Sequence, residues 1–578
     1  MALVVFAAAG MAQAGYVTPT TVWTEAGEME LGTKAEEVGG YTIDVKDSNT
    51  VATVTKDVLS LSALYVREGQ VTIGGTDTHH TVEFKTSAGT NALGYFDNSW
   101  SPLYLNVAGK NATVVIDNAT VQNYKPENGY NLDTGIAVGG PDGNGTLIIR
   151  NGGKLLCGSQ GYFQIGYQSH RQSNAKLVTD KVPVHATTIA PNASNVALDK
   201  DGKQVYDFAN RYEGEYEQRE NGREFGHAVV TVTGEGSLLE TSQYGLGLGD
   251  GELNILDSAV CNSNYYKHDS YGVGCVTSIG YATDCVSTVN VKNNAVWNIN
   301  NQLQVGEGAG SKTVFNIEHA TVNLNDEKGA FLGMGTPSKP EEYDYADQGS
   351  YTELNLLEGA KLNVSEELYV SYTASAKLTV AATAVINDQG GALDRLIVNE
   401  KGSIENKGKI NMITDIRGGS VTLDAGCTME EIMMSEGNIY VNGFVTAGSL
   451  ELNGGTITFA FDALEAALAS AEEGVSGALI DAESLTLGTN LKIVVKLDEA
   501  ELANLDGKTY SLFDVANQDE AIEKLDIVFT DGSTTKIGTI AANGGAITVT
   551  NSQTIPEPAT ATLSLLALAA LAARRRRH

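Results

Sequence analysis

Residues 289–306 read VNVKNNAVWNINNQLQVG, and this stretch decides the fold. Apolar and polar residues alternate from Val289 to Val291, and a small residue, Ala295, precedes the apolar Trp297. A second short run, Leu303-Gln304-Val305, ends at Gly306. Alternation with a period of two is typical of a β-strand with one buried face. Glycine permits a sharp backbone turn, so the stretch predicts short strands separated by corners.

The same two-part unit recurs along the chain. Its first part has two apolar residues separated by one residue, a spacer of two or three residues, then Ala or Gly, one further residue and an apolar residue. Its second part has two apolar residues separated by one residue and usually ends in glycine. First parts begin at Val114, Leu147, Val230, Leu253, Val289, Phe315 and Leu354. Second parts begin at Ile136, Phe163, Leu246, Thr277, Leu303, Leu332 and Leu368. Seven matched pairs in one order indicate a repeat architecture.

The spacing of the unit favours a right-handed parallel β-helix. Val230 and Leu253 are 23 residues apart, a length that suits one coil of three short strands and their corners. A β-propeller blade needs about 40 residues or more, which excludes that fold. Stacked coils bury a continuous narrow core that no single coil could form alone. We therefore predict a mainly β protein with β-helix repeats over residues 111–460.

Other segments flank or interrupt these repeats. Residues 15–110 are expected to form an N-terminal β region or cap, and insertions at 167–228 and 336–351 should project from corners of the coils. Asp462-Ala463-Leu464-Glu465 has the form of a helix capping box. Helical and strand patterns then alternate, which predicts a small C-terminal α+β or β-sandwich cap at 461–550. Such a cap would cover strand edges that otherwise invite aggregation.

The insertion at 167–228 is 62 residues long and rich in tyrosine and arginine. These residues are Tyr206, Arg211, Tyr212, Tyr216, Arg219 and Arg223. Long loops on a rigid scaffold often carry binding sites. The alternative is a solvent-exposed excursion that binds nothing.

The net charge of the chain limits the classes of molecule that it can bind. The chain of 578 residues contains 71 acidic and 38 basic residues, a net charge of −33. A body this acidic repels phosphate backbones, so we expect no binding to nucleic acid.

The N-terminal residues 1–14 are typical of a signal peptide. They are small and apolar and end in Ala12-Gln13-Ala14, the A-x-A pattern that precedes cleavage. Because no Lys or Arg precedes Lys34, the charged start of such a peptide is missing, and we interpret it as truncated. A buried N-terminal strand is the alternative.

The C-terminal residues 551–578 combine three features in order. Pro556, Glu557 and Pro558 precede an apolar run, and Arg574, Arg575, Arg576 and Arg577 follow it. The 15 uncharged residues 559–573 would span about 22 Å as a helix, short for a hydrocarbon core of about 30 Å. The arginines would hold this end on the cytoplasmic side. We expect transient anchoring in the inner membrane; a plain tail anchor is the alternative, but it does not explain Pro-Glu-Pro.

This tail resembles the PEP-CTERM sorting signal of Gram-negative bacteria. In that family an exosortase of the inner membrane recognises the motif and removes the tail after export. The resemblance implies an exported protein of the cell envelope, cell surface or extracellular matrix, with exosortase as its processing partner. The repeats also resemble the β-helical passenger regions of autotransporter-type surface proteins, over roughly residues 100–460.

Five cysteines occur, at positions 157, 261, 275, 285 and 427. No C-x-x-C pair is present, which argues against a structural zinc site. An oxidising periplasm would allow one disulfide. Cys275–Cys285 is the first candidate pair and Cys261–Cys285 the second, while Cys157 and Cys261 also fit plain core positions.

Catalytic, cofactor and metal signatures are weak. His79-His80 with Glu83 would need a further ligand to bind a metal, and an exposed strand end is the alternative. Enzymes on β-helix scaffolds carry paired carboxylates on neighbouring coils, whereas the outward positions of the regular strands here are mostly Thr, Asn, Gln and Gly. These positions include Asn254, Asn290, Gln304, Asn316 and Asn355.

We therefore predict an exported structural or adhesin-like β-helix protein that is not an enzyme and binds no cofactor or metal. Extracellular polysaccharides or other glycans are its expected ligands. The alternative is a polysaccharide lyase or glycoside hydrolase on the same scaffold.

Overall fold

The computed structural model divides into two compact units, residues 1–396 and 397–578. It describes residues 21–23, 27–28, 41–45, 48–66, 68–84, 103–109, 112–123, 135–139, 144–157, 163–166, 227–241, 245–264, 276–282, 284–339, 344–391, 394–472, 478–503, 509–518, 527–533, 535–543 and 546–554.

The first unit is a right-handed parallel β-helix in which successive coils contribute strands to three parallel ladders, here named faces A, B and C. Face A contains Gly27–Glu28, Val51–Val54, Gln70–Gly74, Ala112–Asp117, Gly145–Arg150, Ala228–Thr233, Gly251–Leu256, Val286–Lys292, Lys312–Glu318, Tyr351–Leu356 and Ser375–Val380. Face B contains His80–Phe84, Ala119–Asn123, Lys154–Leu156, Leu238–Thr241, Val260–Ser263, Val296–Ile299, Thr321–Leu324, Lys361–Val364 and Val385–Asp388. Face C contains Thr21–Trp23, Tyr41–Val45, Leu103–Val107, Gly135–Val138, Phe163–Ile165, Leu246–Leu248, Val276–Ile279, Gln302–Val305, Ala330–Leu332 and Leu368–Val370. Val58–Val66 pairs with face B at its start and with face C at its end.

Equivalent residues stack in register from coil to coil, as the repeat pattern predicts. On face A, Leu253 pairs with Val289, and Val289 pairs with Phe315 of the next coil. These inward side chains are buried, as are those of the parallel columns on faces B and C. Parallel pairing already begins at Thr21–Trp23, within the segment predicted as an N-terminal β region or cap.

The corners follow from a few backbone requirements. Asp257 and Asn293 have φ values of 54° and 58° between faces A and B, a region that short polar side chains tolerate. Gly280 and Gly306 end face C strands with φ values of 70° and 78°. A Cβ atom at Gly280 would overlap the hydroxyl of Thr313, so both the backbone conformation and the available space favour glycine there.

One predicted insertion is described and the other is not. Within 336–351, Thr336–Lys339 and Asp344–Ala346 pair as a separate antiparallel two-stranded sheet. Of the insertion at 167–228, residues 167–226 lie outside the described residues, and so do all of its tyrosines and arginines named above.

In the second unit, long strands stack in parallel and an antiparallel sheet covers the last of them. Arg395–Val398 lies at the boundary of the units. The remaining elements are Gly402–Asn406, Lys409–Leu423, Thr428–Val441, Val445–Ala460, the helix Phe461–Glu472, Ile480–Lys496, the helix Glu499–Ala503, Thr509–Gln518, Ile527–Thr530, Thr535–Asn543 and Ala546–Thr554. Val445–Ala460 pairs in parallel with Ile480–Lys496, so the parallel ladder extends beyond residue 460, the predicted end of the repeats. The helix Phe461–Glu472 lies in the connection between Val445–Ala460 and Ile480–Lys496, which belong to neighbouring coils.

The last long strand, Ile480–Lys496, pairs in parallel with both Thr509–Gln518 and Ile527–Thr530. These strands continue into antiparallel pairing with Ala546–Thr554 and Thr535–Asn543. Thr509–Gln518 and Ile527–Thr530 therefore cover the edge of Ile480–Lys496, and the antiparallel strands in turn cover the edges of these two.

The capping box predicted at Asp462 and Glu465 is wrong, because the helix starts at Phe461, directly after the strand that ends at Ala460. Glu465 instead accepts a hydrogen bond from the Tyr510 hydroxyl at 3.2 Å. A capping box does form at the second helix. There the Asp498 carboxylate accepts from the backbone N–H of Glu501 at 2.8 Å, and the Glu501 carboxylate accepts from that of Asp498 at 2.6 Å.

Candidate functional site

A ladder of asparagine side chains runs across five successive coils on the outer side of face B. Each amide Nδ2 donates to the Oδ1 of the asparagine on the preceding coil. The distances are 2.8 Å for Asn298 to Asn262, 2.7 Å for Asn323 to Asn298, 2.7 Å for Asn363 to Asn323 and 2.8 Å for Asn387 to Asn363. Parallel strands lie about 4.8 Å apart, which lets stacked amides bond in this way.

A second, shorter asparagine ladder lies two residues further along the chain, directly after the ends of the same strands. Asn300 donates to Asn264 at 3.0 Å, and Asn325 donates to Asn300 at 2.7 Å. Because side chains two residues apart in a strand point to the same side, the two ladders share one surface.

Face A carries the ladder that contains the outward asparagines singled out in the sequence. Asn290 donates to Asn254 at 2.8 Å, Asn316 to Asn290 at 3.0 Å, and Asn355 to Asn316 at 3.1 Å. On face C, the predicted outward residue Gln304 donates to Gln302 at 2.7 Å within its own strand.

The face B ladders were missed in the sequence analysis, although a signal for them exists. Each asparagine of the longer ladder directly follows a buried residue: Cys261, Trp297, Val322, Leu362 and Ile386. Alternation alone therefore predicts that these asparagines point outward in one column.

Charged side chains are paired at several corners and strand ends. Arg150 Nε contacts Asp117 Oδ2 at 2.7 Å, and Lys292 contacts Glu318 at 3.0 Å. Beside the insertion at 167–228, His227 Nδ1 lies 3.3 Å from a carboxylate oxygen of the buried Asp250. The other oxygen of Asp250 accepts from the backbone N–H of Val286 at 2.9 Å, so this carboxylate helps to hold neighbouring coils together.

Of the histidine pair, His79 forms hydrogen bonds to the next coil and His80 forms one within its own turn. His79 contacts Asn118 Oδ1 at 3.2 Å and Thr120 Oγ1 at 2.9 Å, and His80 contacts Thr76 Oγ1 at 3.1 Å. Across the part of the chain that the structure describes, no group of three or more His, Cys, Asp or Glu side chains is arranged to hold a metal ion.

The described cysteines are buried thiols. Burial raises the pKa of Cys157 to about 12 and that of Cys285 to about 11. Cys261 and Cys285 are both free, so the second candidate disulfide, Cys261–Cys285, is not formed. Cys275 lies outside the described residues, but because Cys285 is itself a free thiol, the structure does not form the first candidate pair, Cys275–Cys285, either.

Aromatic side chains cluster on the outer side of face C. Phe331 and Tyr369 stack with ring centroids 5.0 Å apart, and Tyr372 packs edge-on against both. The Tyr369 hydroxyl donates to Glu367 at 2.7 Å. These contacts link two neighbouring coils on their solvent side, which supports the stack.

The predicted processing signals lie outside the described residues. These are residues 1–14 and the tail residues Pro556, Glu557, Pro558, Arg574, Arg575, Arg576 and Arg577. A helix long and apolar enough to cross a membrane does not occur among the residues that the structure describes.

Comparison with known proteins identifies the tail. The PEP-CTERM protein-sorting motif matches residues 554–577. Comparison with curated proteins gave no match. Among solved structures, the chain is similar to the Hap adhesin of Haemophilus influenzae, with a TM-score of 0.19 and 11% identity over 89% of this chain and 64% of that chain. This chain therefore spans less than two thirds of that adhesin, and a TM-score this low supports no conclusion about function. The matched motif implies export and processing by an exosortase.

Proposed function

We propose that the protein is a structural or adhesin-like β-helix of the cell envelope, cell surface or extracellular matrix of a Gram-negative bacterium. Its C-terminal signal is held briefly in the inner membrane and is then removed by exosortase. The parallel coils present a stable acidic body to the surroundings, and the outward amides of face B contact extracellular glycans.

The observation that carries the proposal is the combination of a sorting motif at 554–577 with coils that carry a ladder of asparagine amides on the outer side of face B. A sorting signal gives a protein a destination outside the cytoplasm. A stacked β-helix buries its core in every coil, so it resists unfolding and proteolysis there. Amides offer donors and acceptors without charge, which suits contact with sugar hydroxyls.

We also propose that the protein is not an enzyme. Cleavage of a glycosidic bond by paired carboxylates needs two acids at a defined separation. The ladders on faces A and B occupy the middle of the outer surface with neutral amides instead. This arrangement favours binding over cleavage.

The experiment compares the parent bacterium with a strain lacking the protein. Loss of adhesion or of matrix integrity, restored by the full-length gene, is the expected result. In parallel, the purified full chain is incubated with a panel of polysaccharides, whose chain lengths are then measured by size-exclusion chromatography. Unchanged adhesion and matrix would overturn the structural proposal, and shortened polysaccharide would establish the enzyme instead.

A further inference from the structure

The outer side of face B presents mostly amide and small polar side chains across four successive coils, and it is almost free of charge. We call it the amide surface. It consists of Val260, Asn262, Asn264, Val296, Asn298, Asn300, Thr321, Asn323, Asn325, Lys361, Asn363 and Ser365. Lys361 is its single charged residue, although the chain as a whole has a net charge of −33.

The ladders order the amides and leave part of their hydrogen-bonding capacity for another molecule. An asparagine amide has two N–H donors and an oxygen with two lone pairs. At Asn298 and Asn323, the ladder uses one donor and one acceptor of each amide. These side chains are half-buried, with their outer side toward solvent. The remaining donors and acceptors therefore repeat at the coil spacing of about 4.8 Å.

We propose that the amide surface binds an extended, uncharged polysaccharide that lies along the β-helix axis with one sugar on each coil. The rise per sugar of an extended β-1,4-linked chain is close to the coil spacing, and successive sugars face opposite ways, so equivalent hydroxyls meet equivalent amides on every second coil. The side chains of Val260 and Val296 form an apolar strip beside the amides, and this strip faces the C–H groups of the sugar rings. The inference rests on the proposed function and deepens it by naming a ligand class and its surface.

Charge and preorganisation both support an uncharged ligand. A polyanionic glycan would be repelled by the acidic body of the protein. The ladder already fixes the amide side chains at 2.7–3.0 Å from one another, so little rotamer freedom is lost when a ligand binds.

The test measures depletion of the full chain from solution by insoluble cellulose and by insoluble chitin, with alginate beads as the polyanionic comparison. We expect retention on at least one of the two uncharged polymers and none on alginate. If the chain binds neither cellulose nor chitin, the inference is overturned. Self-association of the chain through the amide surface, without retention on either polymer, would also overturn it and would identify a second copy as the occupant.

Matched variants locate the binding surface. The double substitution Asn298→Thr with Asn323→Thr breaks the face B ladder, whereas Asn290→Thr with Asn316→Thr breaks the face A ladder on the same two coils. Threonine suits these outward positions because Thr231 and Thr379 occupy the face A column themselves. We expect the face B variant to bind about tenfold more weakly and the face A variant to bind as the parent does.

An equal loss in both variants, or unchanged binding of the face B variant, would overturn the assignment to this surface. Neither result would affect the proposed structural or adhesin-like function, which is tested separately by the adhesion and matrix of the deletion strain.

Discussion

Trp297 donates its indole N–H to the hydroxyl oxygen of Ser263 on the preceding coil, with 3.1 Å between Nε1 and Oγ. Both residues are completely buried. The hydrogen bond satisfies the one polar group of the largest side chain in this part of the core. It also joins two coils at a point where the neighbouring contacts are apolar, such as the packing of Trp297 on Phe315 at 5.5 Å between ring centroids.

Removing this hydroxyl should destabilise the protein through the unsatisfied indole. We expect Ser263→Ala to lower the free energy of unfolding by about 1–3 kcal/mol, measured by urea denaturation. In a Trp297→Phe background, where no N–H remains, the same substitution should cost much less. Equal costs in the two backgrounds would contradict the role assigned to the hydrogen bond.

Glycine is required at the corner that ends one face C strand. Gly280 has a φ of 70°, and an added Cβ would overlap the Thr313 hydroxyl. We expect Gly280→Ala to cost about 1–2 kcal/mol for the backbone conformation and about 1–3 kcal/mol more for overpacking. Gly390 is the matched control: its φ is 82°, but a Cβ there meets nothing within 4 Å. Equal losses of thermal stability in Gly280→Ala and Gly390→Ala would show that the overlap of the added Cβ with Thr313 does not contribute to the cost.

The direction of each side chain on face A gives a test of register. Leu253 is fully buried, so Leu253→Asp should bury an unpaired charge and cost several kcal/mol. Asn254 points outward and accepts a hydrogen bond from Asn290, which a carboxylate can also accept. Asn254→Asp should therefore have a far smaller effect, although its nearness to Glu252 adds some repulsion. Matching melting temperatures for the two variants would mean that the strand faces the other way.

The sequence predicts the coils well because period-two alternation and corner residues are local signals. Leu253, Val289 and Phe315 were all expected in one inward column, and the structure confirms it. The helix start at Phe461 was missed because an Asp-x-x-Glu pattern resembles a capping box whether or not the preceding residue is already helical. The pairing of Glu465 with Tyr510 joins residues far apart in the chain, and no local pattern encodes it.

For the candidate site, the sequence predicted uncharged outward residues such as Asn254 and Asn316, but not the bonds between them. Whether amides on neighbouring coils meet depends on register. Asn316 and Asn355 are adjacent although an insertion separates their coils in the sequence. That adjacency follows only when the insertion at 336–351 is placed outside the stack.

The buried thiol of Cys157 should make stability sensitive to alkaline pH. Burial raises its pKa from 9.0 to about 12, so in the folded protein the thiol keeps its proton over a range in which the unfolded chain loses it. The resulting contribution to stability is fully present below pH 9 and is lost as the pH rises to about 12. We expect Cys157→Ser to show a shallower fall in urea midpoint than the parent between about pH 8 and about pH 10.5. Parallel curves for the two proteins would contradict the shifted pKa.

Processing of the tail should depend on its Pro-Glu-Pro segment. Pro556 and Pro558 disfavour helix formation, so they keep the segment before the apolar run extended and accessible to exosortase. Replacing Pro556, Glu557 and Pro558 with alanine should let the helix extend through the segment, block cleavage and leave the full-length chain in the inner membrane. Mass spectrometry of surface and inner-membrane fractions from native cells measures this, with three alanines at Asn551, Ser552 and Gln553 as the control. Recovery of an intact C-terminal peptide ending in His578 from the surface fraction of the parent strain would contradict removal of the tail. The four arginines would then need another explanation, since a chain that keeps them cannot have been released by cleavage at this motif.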